Sequence, residues 1–261
     1  MMQGRLAFIT GASSGIGQAL ALRFHAAGYR LALVARRSDA VARWVAGAGI
    51  DATRFAVYAA DVRDVEAIVA AGRACVEAQG LPDVVIAVAG ISIGMDTVEF
   101  DDLEVMRATY ETNNLGMAAT FHPIVAAMRE RRAGTLVGIA SVAGIRGIPG
   151  HGAYSSSKAA AIAYCEALRG ELRPFGVKVV TIAPGYIDTP LTRGNPYSMP
   201  FLMNAGDFAE RAFRAIEAGA RWRVIPWQMG IVVHLLRVMP NALFDRLLAR
   251  RARKPRVGER N

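Results

Sequence analysis

A chain of 261 residues that is 53% hydrophobic and only 20% charged has material for one sizeable core, which excludes a disordered or low-complexity protein. Its net charge of +9 points toward anionic ligands or surfaces, and no uninterrupted apolar stretch is long enough to span a bilayer. The two cysteines, Cys75 and Cys165, lie far apart in apolar patterns without metal-ligand spacing, which reads as two buried thiols in a reducing compartment and no metal site.

The N-terminus carries no signal-peptide pattern: MMQGRLAFITGASSGIG runs from a short apolar stretch straight into a glycine loop, so a cytoplasmic location is expected. Arg5–Thr10 reads as a buried strand and Gly15–Gly28 as a helix closed by glycine. Between them, TGASSGIG places Gly11, Gly15 and Gly17 where backbone can approach a diphosphate at a helix N-terminus. Tyr29–Ala35 is a second strand. Arg36 and Arg37 follow it, where dinucleotide folds use a carboxylate to grip a ribose 2′-hydroxyl. Two guanidiniums there suit a 2′-phosphate, so NADP(H) is expected over NAD(H). Ser38–Gly49 has a serine cap signal and helical spacing.

TRFAVYAA is a third strand, and Asp61 after it is placed to bond an adenine amino group or to cap the next helix, two roles that use different atoms and do not exclude each other. DVVIAVAG is a fourth strand, whose Val88–Gly90 end offers a small-residue floor. A long helical pattern spans Asp101–Arg132; Asn113 lies inside it, and an amide in a helix interior requires a partner, such as a water relay to a lysine. GTLVGIAS is a fifth strand ending at Ser141, and Ala153–Pro174 is a helix that opens on Tyr154 and Lys158, one turn apart on one face. A lysine ammonium beside a tyrosine lowers the phenol pKa from near 10 toward use as a general acid. GVKVVTIAP is a sixth strand, followed by the turn-rich Pro184–Pro200, a candidate lid, and WRVIP is a seventh. Apolar strands alternating with helices give an α/β, doubly wound, seven-stranded mainly parallel sheet with helices on both faces, whose ligands bind beyond the carboxyl ends of the strands.

TGASSGIG, VAG, NNLG, Ser141, YSSSK and PGYIDTP, in this order and spacing, resemble the short-chain dehydrogenase/reductase family over roughly Arg5 to Thr192. The resemblance implies a Rossmann-like fold, with Tyr154 as acid/base, Lys158 lowering its pKa and holding the ribose, Ser141 orienting the substrate oxygen and Asn113 completing a proton relay. It implies a cofactor cleft lined by Gly11, Ser13, Ser14, Gly15, Ile16, Gly17, Arg36, Arg37, Asp61, Val62, Ala89, Gly90, Pro184, Gly185, Ile187 and Thr189. The family's asparagine before AG is replaced by Val88, which puts a sheet-stabilising hydrogen bond in question.

Residues 1–226 then form the domain with both sites, and 227–261 a helical extension and basic tail packed on it. The first helical pattern of the extension is almost wholly apolar, with Trp227 and His234 expected in packing, and Arg246–Arg260 reads first as a solvated basic terminus. Pocket or subunit packing is the first reading of the extension, and weak contact with an anionic membrane surface the second. The expected activity is hydride transfer between nicotinamide and the carbonyl or secondary alcohol of an apolar small molecule; a catalytically silent dinucleotide sensor and a peripheral membrane reductase are the alternatives. Small and apolar positions on the helices around Asn113–Met128 and Tyr154–Leu172 point to a homodimer or homotetramer, and nucleic acid is not an expected partner.

Overall fold

The structure, a computed structural model, describes residues 4–249 and 251–259. Its sheet is built from β1 (Leu6–Thr10), β2 (Arg30–Ala35), β3 (Phe55–Ala59), β4 (Val84–Ala87), β5 (Thr135–Ile139), β6 (Lys178–Pro184) and, late in the chain, Trp222–Ile225. The order is β3-β2-β1-β4-β5-β6 with Trp222–Ile225 at the far edge, and every pairing is parallel.

Strands covered on both faces must be apolar on both faces, and the residues alternate accordingly. Ala7 and Ile9 of β1 and Leu31 and Leu33 of β2 enter one core. Leu6 and Phe8, with Ala32 and Val34, enter the other. The first core is closed by α1 (Gly15–Ala26) and α2 (Ser38–Gly47) through Leu20, Phe24, Val41 and Val45. The second is closed by α3 (Val65–Gln79) through Ile68 and Cys75. Phe24 meets Tyr29 edge-to-face at 4.9 Å, a contact that adds to the area it buries.

The expected single helix over 101–132 is interrupted. It runs as α4 (Asp102–Tyr110), a π turn over Glu111–Leu115 and α5 (Gly116–Arg131). A wide turn of this kind displaces side chains from the 3.6-residue register, and it falls on Asn113. After β5 comes α6 (Gly152–Leu172), which packs Ala161 and Cys165 into the second core. Beyond β6, two short strands, β7 (Ile187–Asp188) and β8 (Met203–Asn204), pair with each other. Then follow α7 (Ala205–Glu217), the edge strand β9 (Trp222–Ile225), α8 (Trp227–Val238) and α9 (Asn241–Leu248).

Three expectations are corrected. Ser38 does not cap α2: it is the first helical residue, Arg37 holds the cap position, and no side chain closes the helix end. Trp227 is 63% exposed and His234 is also exposed, because α8 lies on the surface with only Met229 and Val233 buried. The basic terminus is not simply solvated: residues 251–259 are bonded back onto the protein, as Arg256 to Asp102 at 2.7 Å shows. Arg250 and Arg260 of that run, and Met1–Gln3 of the N-terminal reading, lie outside the described residues.

The register brings the strand ends to one edge: Thr10 stands opposite Val34, and Ile9 opposite Ile86. The chain winds outward from β1 to β2 and β3, then returns to β4 on β1's other side. That reversal opens a crevice between the loops that follow β1 and β4.

Candidate active site

A cleft of about 400 Å³ runs along this edge. It is lined by every residue expected from the sequence at cofactor and catalytic positions except Asn113.

One half is built by the turn from β1 into α1. Gly11 has φ +67° and packs against the backbone of Ala89, so a side chain there would be strained and obstructed. Ser14, at the N-cap of α1, has extended backbone and no capping bond from its side chain. The first-turn N–H groups therefore point toward the cleft without an internal acceptor, as a bound phosphate requires. Trp44 of α2 braces the loop by donating from Nε1 to Ala12 C=O at 3.0 Å.

At the far end of this half, Arg36 is exposed and lies 3.7 Å from Asp61, a long contact. Asp61 itself is occupied by Arg63, whose backbone N–H and guanidinium donate to it at 2.8 to 3.1 Å. The capping role expected of Asp61 is corrected: Asp64 caps α3, accepting from Ala67 N–H at 3.0 Å. The floor beneath is held by Thr10, which sequence reasoning had not singled out. Its hydroxyl accepts from Val88 N–H at 3.2 Å and from Ala89 N–H at 3.4 Å, so the β1 and β4 ends stay joined although Val88 has no polar side chain.

The other half carries the expected chemistry. Ser141 ends the segment after β5 and opens a short 3₁₀ turn, its hydroxyl accepting from Ala143 N–H at 3.1 Å. That turn contacts α6 backbone to backbone at Gly144, where a Cβ would fall 2.5 Å from the Lys158 carbonyl carbon. This close approach brings Ser141 against Tyr154, and the two hydroxyls interact. Lys158 Nζ stands 5.8 Å from the centroid of the Tyr154 ring and donates to Ile139 C=O at 2.9 Å.

Burial raises the Tyr154 phenol above its ordinary value, opposed by its bond with Ser141. Burial also pulls Lys158 down, to about 8. In the protein by itself, then, desolvation outweighs the lysine's expected effect on the tyrosine.

Asn113 lies behind the cleft wall, buried to 1% exposure. Its partners are protein groups: Oδ1 accepts from Ile91 N–H at 2.9 Å, while Nδ2 donates to Ile91 C=O at 3.1 Å and Ser157 Oγ at 2.9 Å. A Cβ built on Gly90 would lie 3.2 Å from Asn113 Oδ1 and 3.4 Å from Lys158 Nζ, so both groups converge on one point of the cleft floor. Neighbouring Asn114 donates to Ser157 C=O at 2.8 Å, tying the π turn to α6.

A model of the short chain dehydrogenase family matches residues 5–197. An uncharacterized oxidoreductase of Myxococcus xanthus is 41% identical over 97% of this chain and 99% of its own length. A short chain dehydrogenase from Burkholderia cenocepacia, solved in complex with NADP, is 26% identical with a TM-score of 0.80, over 94% of this chain and 98% of that one. A 3-ketoacyl-(acyl-carrier-protein) reductase from Brucella melitensis, solved with NADH, is 25% identical with a TM-score of 0.78, over 86% of this chain and 98% of that one.

Proposed function

The chain is an NAD(P)-dependent oxidoreductase belonging to the short-chain dehydrogenase family, and we propose that it reduces a carbonyl compound with NADP(H). The observation that carries this reading is the placement of two sets of residues on one cleft: Arg36 and Arg37 at one end, Ser141, Tyr154 and Lys158 at the other. The bare N–H groups of α1 fit a diphosphate, and the two arginines fit a 2′-phosphate. Gly11, Ser13, Ser14, Gly15, Ile16 and Gly17 form the cradle; Pro184, Gly185, Ile187 and Thr189 border the nicotinamide end.

When bound, the dinucleotide supplies a hydride. Tyr154 donates its phenol proton to the substrate oxygen, and Ser141 holds that oxygen by donating its hydroxyl proton in a hydrogen bond. Lys158 stabilises the phenolate left behind and holds a ribose hydroxyl. Asn113 fixes the Ile91 segment and stands where a water can pass protons between solvent and Lys158. A Tyr154 that burial keeps protonated at neutral pH suits reduction. The exposed apolar side chain of Leu191, which lines the cleft, supports a substrate with an apolar body.

Absorbance of the reduced nicotinamide tests this, with NADPH or NADH across ketones, aldehydes, quinones and acyl thioesters. Wild type is expected to prefer NADPH. Replacing Arg36 and Arg37 by alanine is expected to cost tenfold or more in kcat/KM for NADPH and little for NADH, since charge-assisted bonds to phosphate contribute about 1.5–3 kcal/mol. A wild-type preference for NADH would sink the cofactor assignment. NADPH binding without turnover of any compound would favour a silent sensor.

We also place residues 1–226 as the unit carrying both sites, with 227–261 as its extension, in a reducing cytoplasm; both cysteines are buried and unpaired. Among the described residues no helix is long and apolar enough to cross a membrane. Leu103, Met106 and Leu115 are exposed along α4 and the π turn, and we assign them to subunit contacts in a homodimer or homotetramer. The second candidate surface is the stripe Trp227, Ile231, Leu235 and Val238 on α8, which suits an anionic membrane surface. Sedimentation with and without anionic vesicles separates them: a dimer or tetramer that ignores vesicles is expected, and a monomer that sediments with vesicles would reverse the assignment.

A further inference from the structure

The basic run after α9 is drawn across the substrate end of the cleft. Its backbone is seated: Gly94 N–H donates to Pro255 C=O at 3.2 Å, and Gly94 leaves no room for a Cβ beside the Lys254 carbonyl. Two arginines anchor it. Arg256 donates to Asp102, itself 4% exposed, at 2.7 Å and meets Glu99 at 3.5 Å. Arg253 meets Asp96 at 3.3 Å. All three carboxylates belong to the loop after β4 and the first turn of α4, so opposite charge fixes the strap over the cleft's rim.

Upstream of these anchors a third cation is turned inward. Arg251 donates to the Tyr186 hydroxyl at 2.6 Å, and its guanidinium lies 4.7 Å from the centroid of the Tyr197 ring. The Tyr197 hydroxyl is 3.0 Å from Nε2 of His151, three residues before Tyr154. Burial, with Lys254 and Arg251 adding to it, pulls His151 down to about 4, so its imidazole is neutral and neutralises no anion. Lys254 Nζ donates to Ser92 Oγ and to the carbonyl of Leu191, a cleft residue, both at 3.2 Å. Among the described residues no carboxylate lies within ion-pair distance of Arg251, whereas Arg253 has one and Arg256 has three. A guanidinium carries five N–H donors in a planar fork, and its bond to a phenol leaves capacity for an oxyanion.

We infer that Arg251 is a specificity-determining residue: it receives an anionic group, carboxylate or phosphate monoester, at the end of the substrate remote from the carbonyl. The inference rests on the reductase reading above and deepens it. The apolar side chain of Leu191 in the cleft wall then meets the carbon chain that joins the carbonyl to the anion. The strap carries a basic sequence because part of it anchors and part of it recognises.

The test uses methyl ketones of graded chain length, each as ω-carboxylate, ω-phosphate monoester and neutral methyl ester. With NADPH, wild type is expected to favour an anionic form over its ester by tenfold or more in kcat/KM, mainly through KM. Arg251→Met should bring that ratio to near one, and Arg251→Lys should restore part of it. Whichever anionic series shows the Arg251-dependent ratio identifies the oxyanion. A ratio unchanged by Arg251→Met, including acid and ester falling together, would overturn the inference and leave the residue a structural clamp. Calorimetric binding of the same acids and esters to NADPH-saturated Tyr154→Phe protein gives a readout free of turnover. Anion preference there with no turnover in wild type would sink the reductase reading and leave the Arg251 site standing. Equal binding of acid and ester would sink the site whatever the turnover.

Discussion

Replacing Tyr154 by phenylalanine is expected to lower kcat for carbonyl reduction by about 10³, within the range that a positioned general acid contributes. The affinity for NADPH should stay within about twofold, because the arginines and the glycine loop at the other end of the cleft are untouched. The change removes one hydroxyl. Its bond with Ser141 is lost, which costs about 1 kcal/mol of stability at most. Ser141 still bonds the substrate oxygen and both reactants remain held together, so activity falls to a residue of orientation and hydrogen bonding and not to zero. The sign of the pH dependence follows from the same group. Reduction needs the protonated phenol, so kcat for reduction should decline as pH rises through the tyrosine's pKa in the complex, while alcohol oxidation should rise. Stopped-flow traces of wild type and variant at several pH values check both statements. A variant within about threefold of wild type would remove Tyr154 from the chemistry.

Much of this site was legible because its signals are local. A strand buried on both faces must be apolar throughout, as LAFIT and RLALVA are, and a turn that presents backbone to phosphate needs glycine, as TGASSGIG supplies. Tyr154 and Lys158 are one helical turn apart in any α-helix. The features that escaped are set by packing between distant segments. Thr10 holds Val88 and Ala89 across 78 and 79 residues, and a threonine at a strand end has no signature that announces such a bond. The π turn at Asn113 breaks the 3.6-residue period within an otherwise continuous helical pattern; the paired asparagines were its only trace. Arg256 reaches Asp102 over 154 residues, so a terminus that reads as solvated charge becomes a strap only once the fold has brought a loop of carboxylates beneath it. The exposure of Trp227 shows the opposite failure: apolar composition located a helix but not the side on which it would be covered.

Lys158 should show opposite effects on stability and on catalysis when it is replaced by methionine. Its ammonium is 4% exposed, donates to Ile139 C=O, and titrates at about 8 against an ordinary 10.5. The folded state therefore binds fewer protons than the unfolded one between pH 8 and 10.5. Keeping the charge inside costs about 3 kcal/mol below pH 8, a cost that fades as pH rises to 10.5. Methionine has similar volume and no charge, but it leaves the Ile139 carbonyl without that donor, a loss of about 1 kcal/mol. Without added dinucleotide, the variant is expected to be more stable than wild type by about 1–2 kcal/mol at pH 7, a rise of roughly 2–8 °C in Tm for a chain of this size. The gap should close between pH 8 and 10.5 and then invert by about the value of the lost bond. Activity should move the other way, falling by about 10² or more as the tyrosine loses the cation that stabilises its phenolate. Melting curves of both proteins from pH 7 to 10.5, beside their kcat values, make the comparison. A variant less stable than wild type at pH 7, by an amount independent of pH, would mean that the lysine is not desolvated. The expected result would show instead that the fold tolerates a buried charge because the reaction requires it at that position.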